Sequence, residues 1–301
     1  MFYYIHSRHF IKNILFISEK SSFFFANSNF YIIFASRIKR IIMRVLIVNT
    51  SEKAGGAAVA ANRLMDALNN NGIKAKMLVR DKVTDDITVV GLPRSFRMQW
   101  NFLWERWCIF CRLHFSRKNL FTLDIANAGY DITSLPEFKE ADIIHLHWVN
   151  QGMLSLKTIR KIISSGKPVV WTMHDIWPAS SICHLTLGCH HYNNGCGNCK
   201  YLPGNGGKND LSAKIWKKKQ KVYNSGALSF VTCSRWLAAE ARLSGLLAGH
   251  RIETIPNPID THVYCPPGTS PAGQAGIPSA HAAAEGQAHH PLHRPESHQS
   301  L

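Results

Sequence analysis

The sequence predicts an α/β protein built on a doubly wound parallel sheet, and three observations carry that reading. Short apolar runs recur through residues 43–255, each bounded by glycine, proline or polar residues. Segments of helical period separate them, and strands alternating with helices bury both faces of a parallel sheet. The first run, Met43–Asn49 (MRVLIVN), passes through the glycine pair Gly55–Gly56 into a helix, which is the opening unit of such folds.

The elements follow in order. After the first strand, Ala60, Leu64, Ala67 and Leu68 share one helical face, and Gly72 ends the helix. Lys74–Val79 reads as a second strand and Ile87–Val90 as a third. Ser95–Lys118 is an aromatic helix with Arg and Lys interleaved. Such a helix suits either a membrane interface or the domain interior, and packing into the domain is the favoured reading. Cys108 and Cys111 on it read as buried small hydrophobes despite their C-x-x-C spacing. Ala141–His147 (ADIIHLH) is a buried strand, and Leu156, Ile159, Ile162 and Ile163 mark a helix closed by Gly166. Val169–Met173 is the next strand. Asp210–Asn224 is a basic helix capped by Asp210 or Ser212. Leu228–Cys233, a helix from Ser234, and Arg251–Ile255 complete the series, which stops at Pro256-Asn257-Pro258.

Composition narrows the function classes. An apolar share of 46% supplies a sizeable core, and a formal charge of +16 suggests an acidic partner such as phosphorylated substrate or anionic lipid. No recognised DNA- or RNA-binding motif accompanies the charge, so specific nucleic-acid binding is not expected. The turn at Gly55–Gly56 lacks the G-x-G-x-x-G spacing, which disfavours a nicotinamide dinucleotide. Residues 1–42 are rich in Phe, Ile, Ser and Asn without helical period, and their apolar stretch Phe23–Ala35 is too short to span a bilayer. They are expected to be a disordered or non-native extension ahead of a natural start at Met43. The low-complexity tail 261–301 is likewise expected to be disordered and reads as a foreign ending to a domain spanning 43–260.

Candidate chemistry gathers at the strand ends. His174-Asp175 closes the fifth strand where open parallel sheets place ligands. Asp175 is expected to fix the His174 tautomer. His145 and His147 alternate onto one face of their strand, at least one of them for packing. Four cysteines, Cys183, Cys189, Cys196 and Cys199, crowd the loop 183–199 and end in the knuckle C-G-N-C. A structural zinc ion on these four thiolates is the first expectation, with His184, His190 or His191 able to replace a cysteine. Two disulfides or free thiols are the alternatives.

The order of AGGAA after the first strand, IIHLHW, VVWTMHDIW, SRWLA and IPNPID resembles the amino-terminal half of a GT-B glycosyltransferase of the family 4 type. The resemblance covers residues 43–265 and implies a Rossmann-like acceptor-side domain. It implies His174 near the transferring sugar, with Gly55, Gly56, His147 and Asn257 on the substrate side. It also implies a nucleotide-sugar donor, held mainly by a second domain for which residues 261–301 offer no matching pattern. A sugar or lipid-linked acceptor, a cytoplasmic setting at the inner face of an anionic membrane, and a role in cell-surface polysaccharide or lipopolysaccharide synthesis follow as expectations. The competing expectation is a non-enzymatic glycan- or lipid-binding module with a zinc knuckle.

Overall fold

A computed structural model describes residues 43–93 and 96–259, so the expectations for residues 1–42 and 261–301 lie outside the described residues. The strands are β1 (Arg44–Ser51), β2 (Lys74–Asp81), β3 (Val89–Gly91), β4 (Ile143–Leu146), β5 (Val169–Met173), β6 (Leu228–Thr232) and β7 (Arg251–Thr254). The helices are α1 (Gly56–Asn70), α2 (Phe96–Arg112), α3 (Pro136–Glu140), α4 (Leu156–Ile163), α5 (Leu211–Tyr223) and α6 (Arg235–Leu243). The strands form one sheet in the order β3-β2-β1-β4-β5-β6-β7, with every pairing parallel. The chain winds outward from β1 to β3, then returns to place β4 against the other side of β1. That reversal opens a crevice at the carboxyl ends of β1 and β4.

Alternation along β1 distributes its side chains between two cores. Val45 and Ile47 pack with Leu64, Met65 and Leu68 of α1. Leu46 and Val48 join the opposite cluster, with Ile109 of α2, Ile159 of α4 and Trp171 of β5. Each fully buried side chain of this size contributes about 1.5–3 kcal/mol relative to exposure. Trp171 stacks on Phe230 at 6.1 Å and donates its indole N–H to the carbonyl of His147 at 2.9 Å. The ring therefore anchors the β4 end as well as the core.

Side chains cap three helices: Ser155 accepts from Thr158 N, Asp210 from Ala213 N and Ser234 from Leu237 N, each at 3.1 Å. Such a cap is worth about 1 kcal/mol. Asp210 is thus the cap of α5, while the Ser212 hydroxyl donates to it at 2.6 Å. Two boundaries differ from expectation. The third strand starts at Val89, because Asp86 accepts from the Thr88 N–H at 2.8 Å and hydroxyl at 2.7 Å and holds a turn there. Helix α2 ends at Arg112, since His114 and Phe115 take positive φ values of 52° and 61° that no right-handed helix accommodates.

Candidate functional site

The crevice is fastened by its own polar groups. The Thr50 hydroxyl reaches the carbonyls of Trp148 at 2.9 Å and Asn150 at 3.1 Å, and Trp148 N donates to Asn49 Oδ1 at 3.0 Å. These contacts tie the end of β1 to the end of β4. Gly55 precedes α1 with φ 88°, a value that favours glycine, and no side chain caps that helix. A Cβ added at Gly55 or Gly56 would meet nothing within 4 Å, so both face open space. Asn257 is exposed beyond β7, in a segment that Arg63 of α1 holds by a 3.2 Å bond to the Pro258 carbonyl.

Three imidazoles stack beside the crevice. The ring centroids of His145 and His147 lie 4.7 Å apart, and those of His147 and His174 lie 5.2 Å apart. His145 is fully buried and meets the Thr172 hydroxyl through Nε2 at 2.8 Å. His147 Nδ1 and His174 Nε2 are 2.9 Å apart, so one ring donates and the other accepts. Burial holds all three below the usual imidazole range: His145 at about 3, His147 well below, and His174 at about 4 despite the opposing pull of Asp175. The stack is neutral at pH 7. His147, 3% exposed, reaches a ligand only through half-buried His174.

Asp175 does not hold His174 as expected. Its Oδ2 accepts from the Trp148 indole at 3.0 Å and meets His184 Nδ1 at 2.8 Å, while Oδ1 accepts from Trp177 N at 2.8 Å. Those three groups engage both of its oxygens, and His147 takes the role assigned to it. His184 continues through Nε2 to Asp124 Oδ2 at 2.9 Å, and Asp124 Oδ1 pairs with Arg106 of α2. Burial opposes the charged imidazole, but the bonds to Asp124 and Asp175 outweigh it and raise the His184 pKa to about 9. Glu105, fully buried beside Arg106, accepts from Ile125 N and Ala126 N at 3.1 and 2.6 Å; burial and the Asp124 charge push it up to about 8. Arg106, Asp124, His184 and Asp175 thus form one polar chain beneath the strand ends. The sequence carried a signal for part of it: an adjacent Glu-Arg pair within an otherwise aromatic helix.

The cysteine loop lies alongside this chain, as Cys183 pairs with Leu123 in an isolated antiparallel bridge. Cys183, Cys189, Cys196 and Cys199 all line one cavity of about 20 Å³, together with Tyr192 and Tyr201. All four are free thiols. Burial raises Cys196 to about 12 and Cys199 to about 11, which keeps these thiols protonated. Among the described residues, no group of three or more His, Cys, Asp or Glu side chains is arranged to hold a metal ion. Metal analysis of the reduced protein is the direct test of the expected zinc. Beneath the loop, buried Lys219 donates to the carbonyls of Trp177 at 2.6 Å and Ser180 at 3.0 Å.

The family model described as Glycosyltransferase Family 4 matches residues 54–263. A putative colanic acid biosynthesis glycosyl transferase, WcaC of Escherichia coli (strain K12), is 32% identical over 66 residues. That match covers 20% of this chain and 16% of the relative's length.

Proposed function

The chain belongs to Glycosyltransferase Family 4, and we propose that its described residues form the acceptor side of an enzyme that transfers sugar from a nucleotide-sugar during cell-surface polysaccharide synthesis. The observation that carries this reading is the neutral His147–His174 pair at the sheet's switch point, within the segment that the family model matches. Neutral His174 has one hydrogen-bonding nitrogen engaged by His147 and one left for an acceptor or sugar hydroxyl. Asp175, committed to His184 and Trp148, shapes the strand end instead of contacting substrate. The open turn at Gly55–Gly56 lets backbone N–H groups approach a phosphate or sugar at the start of α1. The colanic acid assignment of the relative supports polysaccharide synthesis as the setting.

In this reading, groups aimed at the donor diphosphate come from a donor-binding domain following Asp260. A transfer assay tests it with that domain of the family joined in frame after Asp260. Turnover should appear, and His174→Ala should lower it by roughly 10²–10³, the scale for losing one preorganised hydrogen-bonding group in such a site. The melting temperature should stay within a few degrees. Turnover indifferent to His174→Ala would overturn the assignment of the site.

A further inference from the structure

The cysteine loop and helix α5 border a groove of about 500 Å³ whose lining shares no residue with the crevice at the ends of β1 and β4. That volume falls within the roughly 300–1,000 Å³ of small-molecule sites. One wall is α5, where Ala213, Trp216, Lys217 and Gln220 follow i, i+3, i+4 and i+7 and so share a face of the helix. The other wall is the turn 194–198, bent by positive φ values of 125° at Gly195 and 48° at Asn198. Backbone bonds pin this turn in place. Asn198 N donates to the Gly207 carbonyl at 2.9 Å, and Cys199 N donates at 2.9 Å to Asp210, the cap of α5. The groove is therefore shaped by the fold itself.

Trp216 points to an occupant. It is only 7% exposed and lines the groove, yet its indole N–H makes no hydrogen bond among the described residues. A tryptophan N–H so enclosed usually has a partner. A Cβ added at Gly195 would stand 3.7 Å from that nitrogen, so glycine leaves the donor uncovered on the groove side. Around it stand the exposed side chains of Lys208, Lys217, Asn194, Asn198 and Gln220, and no carboxylate lines the groove. None of these five polar ends has a hydrogen-bond or ion-pair partner among the described residues.

We propose that this groove binds an anionic sugar, a ring carrying a carboxylate or phosphate group. The two ammonium groups and the indole N–H supply donors to the anion, and charge-assisted bonds of this kind are the stronger ones. The three amides both donate and accept, as ring hydroxyls do. The saccharide part of the inference rests on the glycosyltransferase reading above; the anionic part rests on the groove alone. One turn further along α5, Lys219 donates at 2.6 Å to the carbonyl of Trp177, whose N–H is held by Asp175. A single helix thus carries one wall of the groove and a support of the strand-end loop.

Nuclear magnetic resonance of the isotope-labelled full chain tests the proposal through the Trp216 indole N–H signal, identified by sequential assignment and by its loss in Trp216→Phe. Glucuronate or glucose 1-phosphate should shift that signal saturably, and the tighter of the two names the preferred anion. Glucose should bind at least about tenfold more weakly, the scale of one lost charge-assisted hydrogen bond. The double variant Lys208→Gln/Lys217→Gln should weaken binding of the anionic sugar by a similar factor with an unchanged melting temperature. Lys214→Gln/Lys218→Gln, exposed on α5 but outside the groove, should bind as the parent does. His174→Ala should also retain binding, so failure of the acceptor site and failure of the groove are read separately. A Trp216 signal unmoved by both anionic sugars, or binding indifferent to the Lys208/Lys217 change, would overturn the proposal. So would glucose or inorganic phosphate binding as tightly as the anionic sugars, because the groove would then not read both parts of the ligand.

Discussion

His174 and His184 lie at two ends of the same small region and carry opposite charge states. Burial acts on both rings in the same direction, against the proton. His174 has another imidazole as its partner and falls to about 4; His184 lies between two carboxylates and rises to about 9. Partner chemistry therefore decides the charge where burial is shared. The result is a neutral imidazole on one side and a fixed cation holding the strand end on the other.

The comparison breaks most severely at Asp124. Asp124→Ala should remove the carboxylate that buried Arg106 and His184 share, leaving His184 only Asp175, and cost about 3–5 kcal/mol, seen as a lower urea midpoint. A loss below about 1 kcal/mol would show that solvent already serves those charges.

On the neutral side, Thr172→Val removes the hydroxyl at 2.8 Å from His145 Nε2. Leaving that buried nitrogen short of its partner should cost about 1–3 kcal/mol in the same measurement. A neutral or stabilising result would show that the imidazole stack is held by packing alone.

The pH dependence sharpens the contrast without mutation. His184, raised above its unfolded value near 6.5, adds stability that is complete below about pH 6.5 and lost as pH rises through about 9. His145 and His174 are depressed, so below about pH 6.5 the unfolded chain binds protons that the folded one does not. Their contribution falls with pH from there to about 3 for His145 and about 4 for His174. Melting temperature should peak at about pH 6.5, falling on the acid side towards about pH 3 and on the alkaline side up to about pH 9, and His184→Gln should flatten the alkaline arm while leaving the acid arm. An unchanged alkaline arm would place the charge of that network elsewhere.

The smallest effect is expected for Trp148→Phe. It deletes one of three hydrogen bonds to Asp175 and should cost about 1 kcal/mol, with little change in the shape of the pH profile. A loss comparable to that of Asp124→Ala would mean that Asp175 depends on the indole more than on the cation.

The sheet was legible because apolar runs such as Val169–Met173 are local signals, repeated at each strand and separated by helices of regular period. His174, Asp175 and the glycine turn were legible because each follows directly on a strand. Arg106, Asp124 and His184 were not joined by that reasoning, since 18 residues separate the first pair and 60 the second. The exposed tryptophans of α2, Trp104 and Trp107, show the same limit. Helical period reveals a residue's face, but an apolar helix does not say which face the domain covers.

The sequence by itself determined the alternation of strands and helices, the strand-end placement of His174 and Asp175, and the crowding of four cysteines into one loop. Tertiary structure alone decided that His147 partners His174, that Asp175 turns to His184, and that one face of α2 stays exposed. The physical reason is range: hydrophobic period and turn chemistry act over a few residues. Charge pairing and burial depend on which distant segments the parallel sheet brings together.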